Sequence, residues 1–365
     1  MRLRYTIWTG IVFLLFFMNS YQSLSQTTIT GNSIKCESKW EDISQSIFSC
    51  IPGYVSDSDK LFNAAGNLTV VPSSGDLYLT LNRNYGVFKS TDAGQHWQKL
   101  QGVDVQGRSY GGFSSCIDPQ TGRFALFMIV SSVEPKSAFT LDGGKTWKEI
   151  TRPTNVKHDG WTWGSVDWSV KNPHVIIGKQ HHDMTAMWLS KDAGQTWEKL
   201  PFQSRNPGVI NSHIFVAAKG ENGEGIFRST DQGQTWNQVS DFKVNGKIPV
   251  RWNENFYWTS EQGVIVSKDK GATWSLLGSA LPGVLWGPFF GKDENTIVVI
   301  RNTGFYRTTD SGKNWEKMAI LKEGVEFNVL HPTVSYGWDY QRNILYCSPV
   351  GGSVYRLCLD KNRDK

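Results

Sequence analysis

Apolar and polar positions alternate along most of this chain in short runs, and the runs break at Gly, Asn and Asp. Alternation of that kind predicts half-buried β-strands joined by tight turns. One stretch shows the rhythm in full. Ser165–Val170 reads as a first strand, His174–Gln180 as a second, Ala186–Ser190 as a third and Trp197–Leu200 as a fourth. The start of the chain differs: Arg2 and Arg4 precede an unbroken apolar run from Ile7 to Met18 and a polar stretch ending Ser23-Leu24-Ser25. Charged, apolar and small-polar segments in that order form an export signal. The run falls short of the roughly 20 residues that a membrane-spanning helix needs. Residues 1–25 are therefore read as a leader, and the chain from Gln26 as secreted or periplasmic, with no membrane partner.

Six of the turns repeat one pattern. Ser90-Thr-Asp92-Ala-Gly94-Gln-His-Trp97, Thr140-Leu-Asp142-Gly-Gly144-Lys-Thr-Trp147 and Ser190-Lys-Asp192-Ala-Gly194-Gln-Thr-Trp197 come first. Ser229-Thr-Asp231-Gln-Gly233-Gln-Thr-Trp236, Ser267-Lys-Asp269-Lys-Gly271-Ala-Thr-Trp274 and Thr308-Thr-Asp310-Ser-Gly312-Lys-Asn-Trp315 complete the set. Their aspartates stand 50, 50, 39, 38 and 41 residues apart, the size of one four-stranded unit. In such a turn the Asp accepts bonds from backbone N–H groups, and the Gly two positions on supplies positive φ cheaply. The Ser or Thr hydroxyl adds local bonds, and the Trp opens the next strand and packs between units. These aspartates fold hairpin turns and are not catalytic.

Repeats of this length stack into propellers. After Trp315, Val334–Tyr340, Ile344–Ser348 and Ser353–Leu359 read as three strands without a box or an outer strand. Lys39-Trp40-Glu41-Asp42-Ile43 resembles Thr146-Trp147-Lys148-Glu149-Ile150, so the missing strand is taken from the N-terminal side. Pairing the two ends leaves no long exposed edge. The expectation is an all-β, seven-bladed β-propeller of four-stranded antiparallel blades with six boxes, a single domain over residues 26–365.

About 340 residues exceed what one core usually holds, but stacked repeats bury their faces on one another and escape that limit. Net charge is +5, or +3 without Arg2 and Arg4, and no Lys/Arg-rich run occurs. That balance argues against a nucleic-acid partner and suits a mildly basic groove for an acidic sugar. Cys36, Cys50, Cys116, Cys347 and Cys358 include no CxxC pair, so a thiolate zinc site is not expected. Export permits disulfides. Cys36 with Cys50, and Cys347 with Cys358, are close enough in sequence to be bridged, leaving Cys116 over. A monomer is expected.

The boxes resemble the Asp-box (BNR) repeats of sialidases, sortilin-type receptors, photosystem assembly factors and propeller polysaccharide lyases. The resemblance covers nearly all of the chain after the leader. It implies the propeller and says little about activity, because one propeller hosts unrelated functions.

Strand order narrows the search for chemistry. Boxes join third to fourth strands and share a face with the first-to-second connections. The opposite face carries the loops that lead into each first strand and those that leave each second strand, near the channel where a concave site is expected. Lead-in loops then offer Arg108, Tyr110, His158, Trp161, Trp163, His213, Arg251, Trp286 and Tyr336, and second-strand ends offer Arg83, Lys179, His181, His182 and Arg301. The third unit is densest, with Lys157-His158-Asp159-Gly160-Trp161 leading in and Lys179-Gln180-His181-His182-Asp183 leaving its second strand. An antiparallel return sets these loops side by side, so His158 approaches His181 or His182. Neighbouring imidazoles suit proton abstraction and delivery, although His-His-Asp is also a common hydrogen-bonded surface cluster. With Asp159 or Asp183 the same imidazoles offer zinc ligands, but the spacing matches no strong metal motif and no cofactor is expected. Arg108, Arg251 and Arg301 come from different blades and are expected to converge on the channel, where guanidinium forks take carboxylates. Trp161 serves either as a sugar platform or as blade packing.

Sialidases share an Arg-Ile-Pro motif before the first box, an arginine triad and a Tyr–Glu nucleophile. No arginine lies between Gln26 and Asn82, and Ile248-Pro249-Val250-Arg251 carries similar letters in another order. The lyases that cleave rhamnose–glucuronate linkages, as in ulvan and gum arabic, are a nearer resemblance. It implies two histidines on adjacent loops, a tyrosine, and arginines around the uronate, which fall here on His158, His181 or His182, Tyr336, Arg251 and Arg301. Arg108, Tyr110, His213 and Trp161 complete the expected substrate contacts. In that chemistry the arginines neutralise the carboxylate, one histidine takes the C5 proton, and a second histidine or Tyr336 protonates the departing oxygen. If water departs, the same site is a dehydratase. A hydrolase needs two carboxylates flanking the bond, for which Asp159, Asp183 and Asp339 are available. A binding or assembly propeller needs only a shaped surface. The partner implied by the lyase reading is an acidic oligo- or polysaccharide.

Overall fold

The computed structural model describes residues 39–51, 65–81, 85–109, 115–129, 134–153, 160–183, 186–219, 224–245, 248–319, 334–349 and 353–359. The expected leader, Cys36, Arg83, Tyr110, Lys157, His158 and Asp159 lie outside the described residues. Cys36–Lys365 forms one compact unit. A short strand β1 (Glu41–Asp42) and a one-turn helix α1 (Gln45–Phe48) open it. The first four-stranded sheet holds β2 (Ala65–Val70), β3 (Leu77–Leu81), β4 (Gly86–Ser90) and β5 (Gln98–Lys99). The next holds β6 (Ser115–Ile117), β7 (Phe124–Leu126), β8 (Ser137–Thr140) and β9 (Lys148–Ile150). A seven-stranded sheet follows: β10 (Trp161–Val166), β11 (Ile176–Gln180), β12 (Ala186–Ser190), β13 (Glu198–Val209), β14 (Phe215–Lys219), β15 (Glu224–Ser229) and β16 (Asn237–Ser240). After it, β17 (Val250–Trp252), β18 (Asn255–Ser260), β19 (Gly263–Ser267) and β20 (Ser275–Leu276) form one blade. Another comprises β21 (Val284–Phe290), β22 (Ile297–Arg301), β23 (Gly304–Thr308) and β24 (Glu316–Ala319). Finally β25 (Ser335–Asp339), β26 (Ile344–Ser348) and β27 (Tyr355–Cys358) are joined by β1.

The chain is thus an all-β propeller with four-stranded antiparallel blades, but the expected count of seven is corrected. Five four-stranded blades form, and the strands expected for a third and fourth blade belong to one seven-stranded sheet. The cause is β13, which runs unbroken for 12 residues. Its first part pairs with β12, and its second part pairs with β14 from Ser204↔Lys219 to Val209↔Phe215. A register shift between Ser204 and Asn206 marks a bulge, which bends a strand without ending it. Gln203-Ser-Arg-Asn-Pro-Gly208 carries the composition of a loop, and pairing on both edges overrides that signal. The first strand of the third unit is also corrected, from Ser165–Val170 to Trp161–Val166. Asp167 ends it, because its carboxylate accepts the Ser169 amide (3.0 Å) and hydroxyl (2.5 Å) and turns the chain.

All six boxes close in the same way. The Ser or Thr hydroxyl donates to Asp Oδ1 at 2.7–3.0 Å and accepts the Gly amide at 2.8–2.9 Å. Oδ1 also takes the amide four residues on, at 2.9–3.0 Å. Oδ2 takes that residue's side chain, a Thr in four boxes, Asn314 in the last and His96 in the first. Hydrogen bonding to the ionised form lowers a carboxyl pKa. The Thr235 hydroxyl and amide hold Asp231 down to about 2, and the Asn314 amide and side chain do the same for Asp310. At Asp192 partial burial works the other way, and bonds from Thr196 and Ser190 outweigh it to leave the group at about 2. The box glycines have φ of 77–86°, and the residue before each is also left-handed, at 59–67°.

Each box also meets the preceding unit. A Cβ on Gly194 would lie 3.1 Å from Ile150 Cγ2, and one on Gly233 would lie 2.8 Å from Leu200 Cδ1. Ile43, just after β1, stands in the same relation to Gly94 (2.4 Å from Cδ1). The segment around Trp40 therefore occupies an outer-strand position ahead of the first box. β1 pairs antiparallel with β27, Glu41 opposite Arg356, and Arg356 Nε donates to Glu41 Oε2 at 2.8 Å. The two local cysteine pairs do not form: Cys358 is disulfide-bonded, while Cys50, Cys116 and Cys347 are free thiols.

Candidate functional site

Inner strands β2, β6, β17, β21 and β25, with Ile248 and Pro249 just ahead of β17, wall a central cavity of about 120 Å³. Sites that enclose a drug-sized ligand run to roughly 300–1,000 Å³, so this is a narrow one. Successive side chains of a strand point to opposite sides. Along β21, accordingly, Leu285, Gly287 and Phe289 are partly exposed while Val284, Trp286, Pro288 and Phe290 are buried. Leu68, Val70, Ile117, Ile248 and Val250 continue the apolar wall. Among the described residues no charged side chain and no histidine lines it. Its ionisable groups are Cys116, which burial pushes up to about 11, and Tyr336, which burial and the nearby Cys347 push above the usual phenol range. Tyr336 belongs to β25 rather than to a lead-in loop, with the Trp286 ring 5.9 Å away and the Phe305 ring 6.2 Å away. A phenol in that setting holds its proton more tightly than a free one.

The face opposite the boxes holds four of the expected residues: His181, His182, Arg108 and Arg301. His181 follows β11, and its amide donates to the Gly160 carbonyl at 3.1 Å, so the second-strand end lies against the chain leading into β10. Glycine is required there, because a Cβ would meet Met128 O at 2.2 Å and Ile129 Cα at 2.8 Å. His181 Nδ1 lies 3.4 Å from Thr162 Oγ1, and the exposed His182 ring stands edge-on at 5.1 Å. Arg108 exchanges backbone bonds with Ile129 at the end of the second blade. Arg301 ends β22, its guanidinium over the Tyr306 ring at 4.9 Å. Trp161 is no platform: it is buried in β10, Nε1 donates to Thr151 O at 2.7 Å, and its ring lies 4.2 Å from that of Trp197.

Arg251 and His213 lie on the other face. Arg251 stands one residue before the tight turn from Trp252 to Asn255, donates from Nη1 to Trp168 O at 3.1 Å, and pairs with Glu254 at 3.0 Å. It does not converge with Arg301, which sits at the other end of its blade. His213 lies between β13 and β14, where its carbonyl accepts the amide of Gln232 in the fourth box. The misplacement follows from β13, whose second half is the first strand that was expected after His213. Asp339, offered as a hydrolytic carboxylate, is buried and bound to Arg342 Nη1 at 2.7 Å.

One polar cluster escaped sequence reading. Arg123 donates to Trp168 O and Val170 O, each at 2.6 Å, and pairs with Asp118 at 2.7 Å. Gln120 and Asn253 exchange two bonds of 2.6 and 2.7 Å. First-to-second connections of three sheets are thereby tied together on the box face. The signal available was the Asp118…Arg123 turn, which recurs in shorter form as Asp339…Arg342. Among the described residues no group of three or more His, Cys, Asp or Glu is placed to hold a metal ion.

The BNR/Asp-box repeat family matches residues 227–238, which contain the fourth box. The fold is that of an Asp-box β-propeller. Among solved structures, YCF48 bound to D1 peptide is 15% identical over 88% of this chain and 97% of that chain, with a TM-score of 0.47. YCF48 from Cyanidioschyzon merolae is 11% identical over 88% and 99%, also at 0.47. The GH74 enzyme of Niastella koreensis is 12% identical over 82% and 60%, at 0.42. At these identities the likeness extends to the fold alone.

Proposed function

We propose that this protein is a ligand-binding propeller whose central cavity accepts a small apolar group and performs no chemistry. The carrying observation is the cavity wall itself, built by five inner strands that, among the described residues, set no charged or imidazole side chain in it. General acid–base catalysis needs a group that titrates near the working pH. Cys116 and Tyr336 are both pushed upward and stay protonated. An apolar wall instead rewards burial of apolar surface, at about 25 cal/mol per Å². The volume limits the guest to something near the size of one side chain. Xenon uptake followed by NMR tests this: the wild type binds xenon, and Leu285→Glu, which sets a charge in the wall, does not. A wild type that takes up no xenon rejects the proposal.

A second reading is favoured by one specific contact, the His181 amide on the Gly160 carbonyl, which sets two loops of the third unit side by side. Together with the adjacent His182 ring it supports β-elimination on a uronate polysaccharide met outside the cell. Ultraviolet absorbance of unsaturated uronate, followed on ulvan and gum arabic, decides it. The wild type produces the signal, and His181→Ala/His182→Ala loses at least about 10²-fold in turnover. No absorbance with the wild type removes the lyase reading and leaves the binding one standing.

A further inference from the structure

A concavity of about 460 Å³ opens on the box face, where the first-to-second connections of three sheets meet. Arg123, Lys171 and Arg251 line it, and among the described residues no acidic side chain does. The three cations are held differently. Arg123 is fixed, with Nε on Thr121 Oγ1 at 2.8 Å and Nη2 on Asp118, an acid only 1% exposed. Arg251 is anchored by Nη1 on Trp168 O, and its Nη2 meets Glu254, whose side chain is 77% exposed. An ion pair so open to water contributes little, and a ligand can take the place of its acid. Lys171 is exposed, and among the described residues no acid pairs with it. Asp167, a third acid of these connections, is buried with Oδ1 on Ser169 and is not part of the lining. With Asp118 spent on Arg123 and Glu254 displaced, Arg251 and Lys171 present two positive charges to the concavity.

We propose that this concavity binds a phosphate monoester, its phosphate between Arg251 and Lys171. Such a group carries close to two negative charges above its second pKa of about 6, and so matches the two positive ones. Cations from separate connections reach a tetrahedral group from several sides, whereas a planar carboxylate is served by a single guanidinium fork. The volume exceeds that of a bare ion, and half-buried Leu141 and Val170 offer apolar surface to the organic group that carries the phosphate. Glu254 is a placeholder that keeps Arg251 in position until the ligand displaces it. None of the lining residues belongs to the central cavity, so the site does not rest on the cavity reading.

Calorimetric titration with phenyl phosphate tests the site, at constant ionic strength and a pH of about 8, where the phosphate is a dianion. The wild type binds phenyl phosphate, and it binds phenyl sulfate, of like shape with one charge fewer, about 10-fold more weakly. Arg251→Gln and Lys171→Gln each weaken phenyl phosphate binding by about 10-fold or more. Glu254→Gln removes the competing charge and tightens binding by about 2- to 5-fold. Arg307→Gln, which breaks a surface pair on another blade, leaves binding unchanged, and melting curves confirm that each variant is folded. A wild type that does not bind phenyl phosphate overturns the site, as does equal affinity of wild type and Arg251→Gln. Phenyl sulfate bound as tightly as phenyl phosphate overturns the assignment to a dianion. Binding by Glu254→Gln no tighter than by the wild type overturns the placeholder role.

Discussion

The two faces of this propeller are built on different terms. On the box face one turn recurs six times with hydrogen bonds alike to within about 0.3 Å, and arginines there are spent on carbonyls and carboxylates. Gln120 and Asn253 close that face further by exchanging bonds across different sheets. Among the described residues of the opposite face no such turn recurs. Arg301 lacks an acceptor for Nε, two histidines stand edge to face beside Gly160, and the connections differ in length and composition. Donors that are satisfied by buried partners stabilise the chain and have little left for a ligand. Groups left unsatisfied weaken the fold locally and are what a ligand can use. Repetition therefore marks the scaffold here, and departure from it marks where binding is to be sought.

The largest expected effect breaks the scaffold side. Gly312→Ala puts a Cβ 2.5 Å from the Leu277 carbonyl at a residue with φ +77°, and backbone cannot give way as a side chain does. It should cost at least about 2 kcal/mol in urea unfolding. Asp192→Ala removes bonds to the Thr196 amide and hydroxyl and to Ser190, and should cost on the order of 1 kcal/mol at neutral pH. The pH dependence has a definite sign. A carboxyl held at about 2 against an ordinary 3.8 contributes stability that is complete above pH 4 or so and vanishes as pH falls towards 2. Thermal melts of wild type and Asp192→Ala should therefore converge across that window, and a gap that persists at pH 2 contradicts the assignment. Arg251→Met sharpens the comparison: it should lower stability by about 1 kcal/mol through its lost bonds to Trp168 O and Glu254, and leave xenon uptake by the cavity untouched. Smallest of all, His213→Ala on the exposed box face should change stability by less than about 0.5 kcal/mol and alter no ligand titration.

Much of the scaffold is legible in the residue order, because its causes are local. An Asp, a Gly two residues on and a hydroxyl two residues back describe a turn that closes on itself whatever surrounds it. The likeness of Lys39–Ile43 to Thr146–Ile150 is matched by the contacts of Ile43 with Gly94 and of Ile150 with Gly194. The site is far less legible. Trp161 and Tyr336 have residue types that suit a sugar site, yet each lies in an inner strand, where burial removes it from solvent. Arg251 and Arg301 share a residue type, and their opposite ends of a blade follow from strand limits that shift by only a few positions.

What the sequence by itself determined is the box turns, carried by hydrogen bonds spanning four residues or fewer, and the β-strand rhythm, carried by the alternation of apolar and polar side chains. Tertiary structure alone decided the fusion of two expected blades through β13, the apolar lining of the cavity and the face on which each arginine acts. Those features depend on strand pairing between residues far apart in the chain. A continuous strand is stable only when both of its edges find partners, and an arginine is spent or spare according to which carbonyls the packing brings within reach.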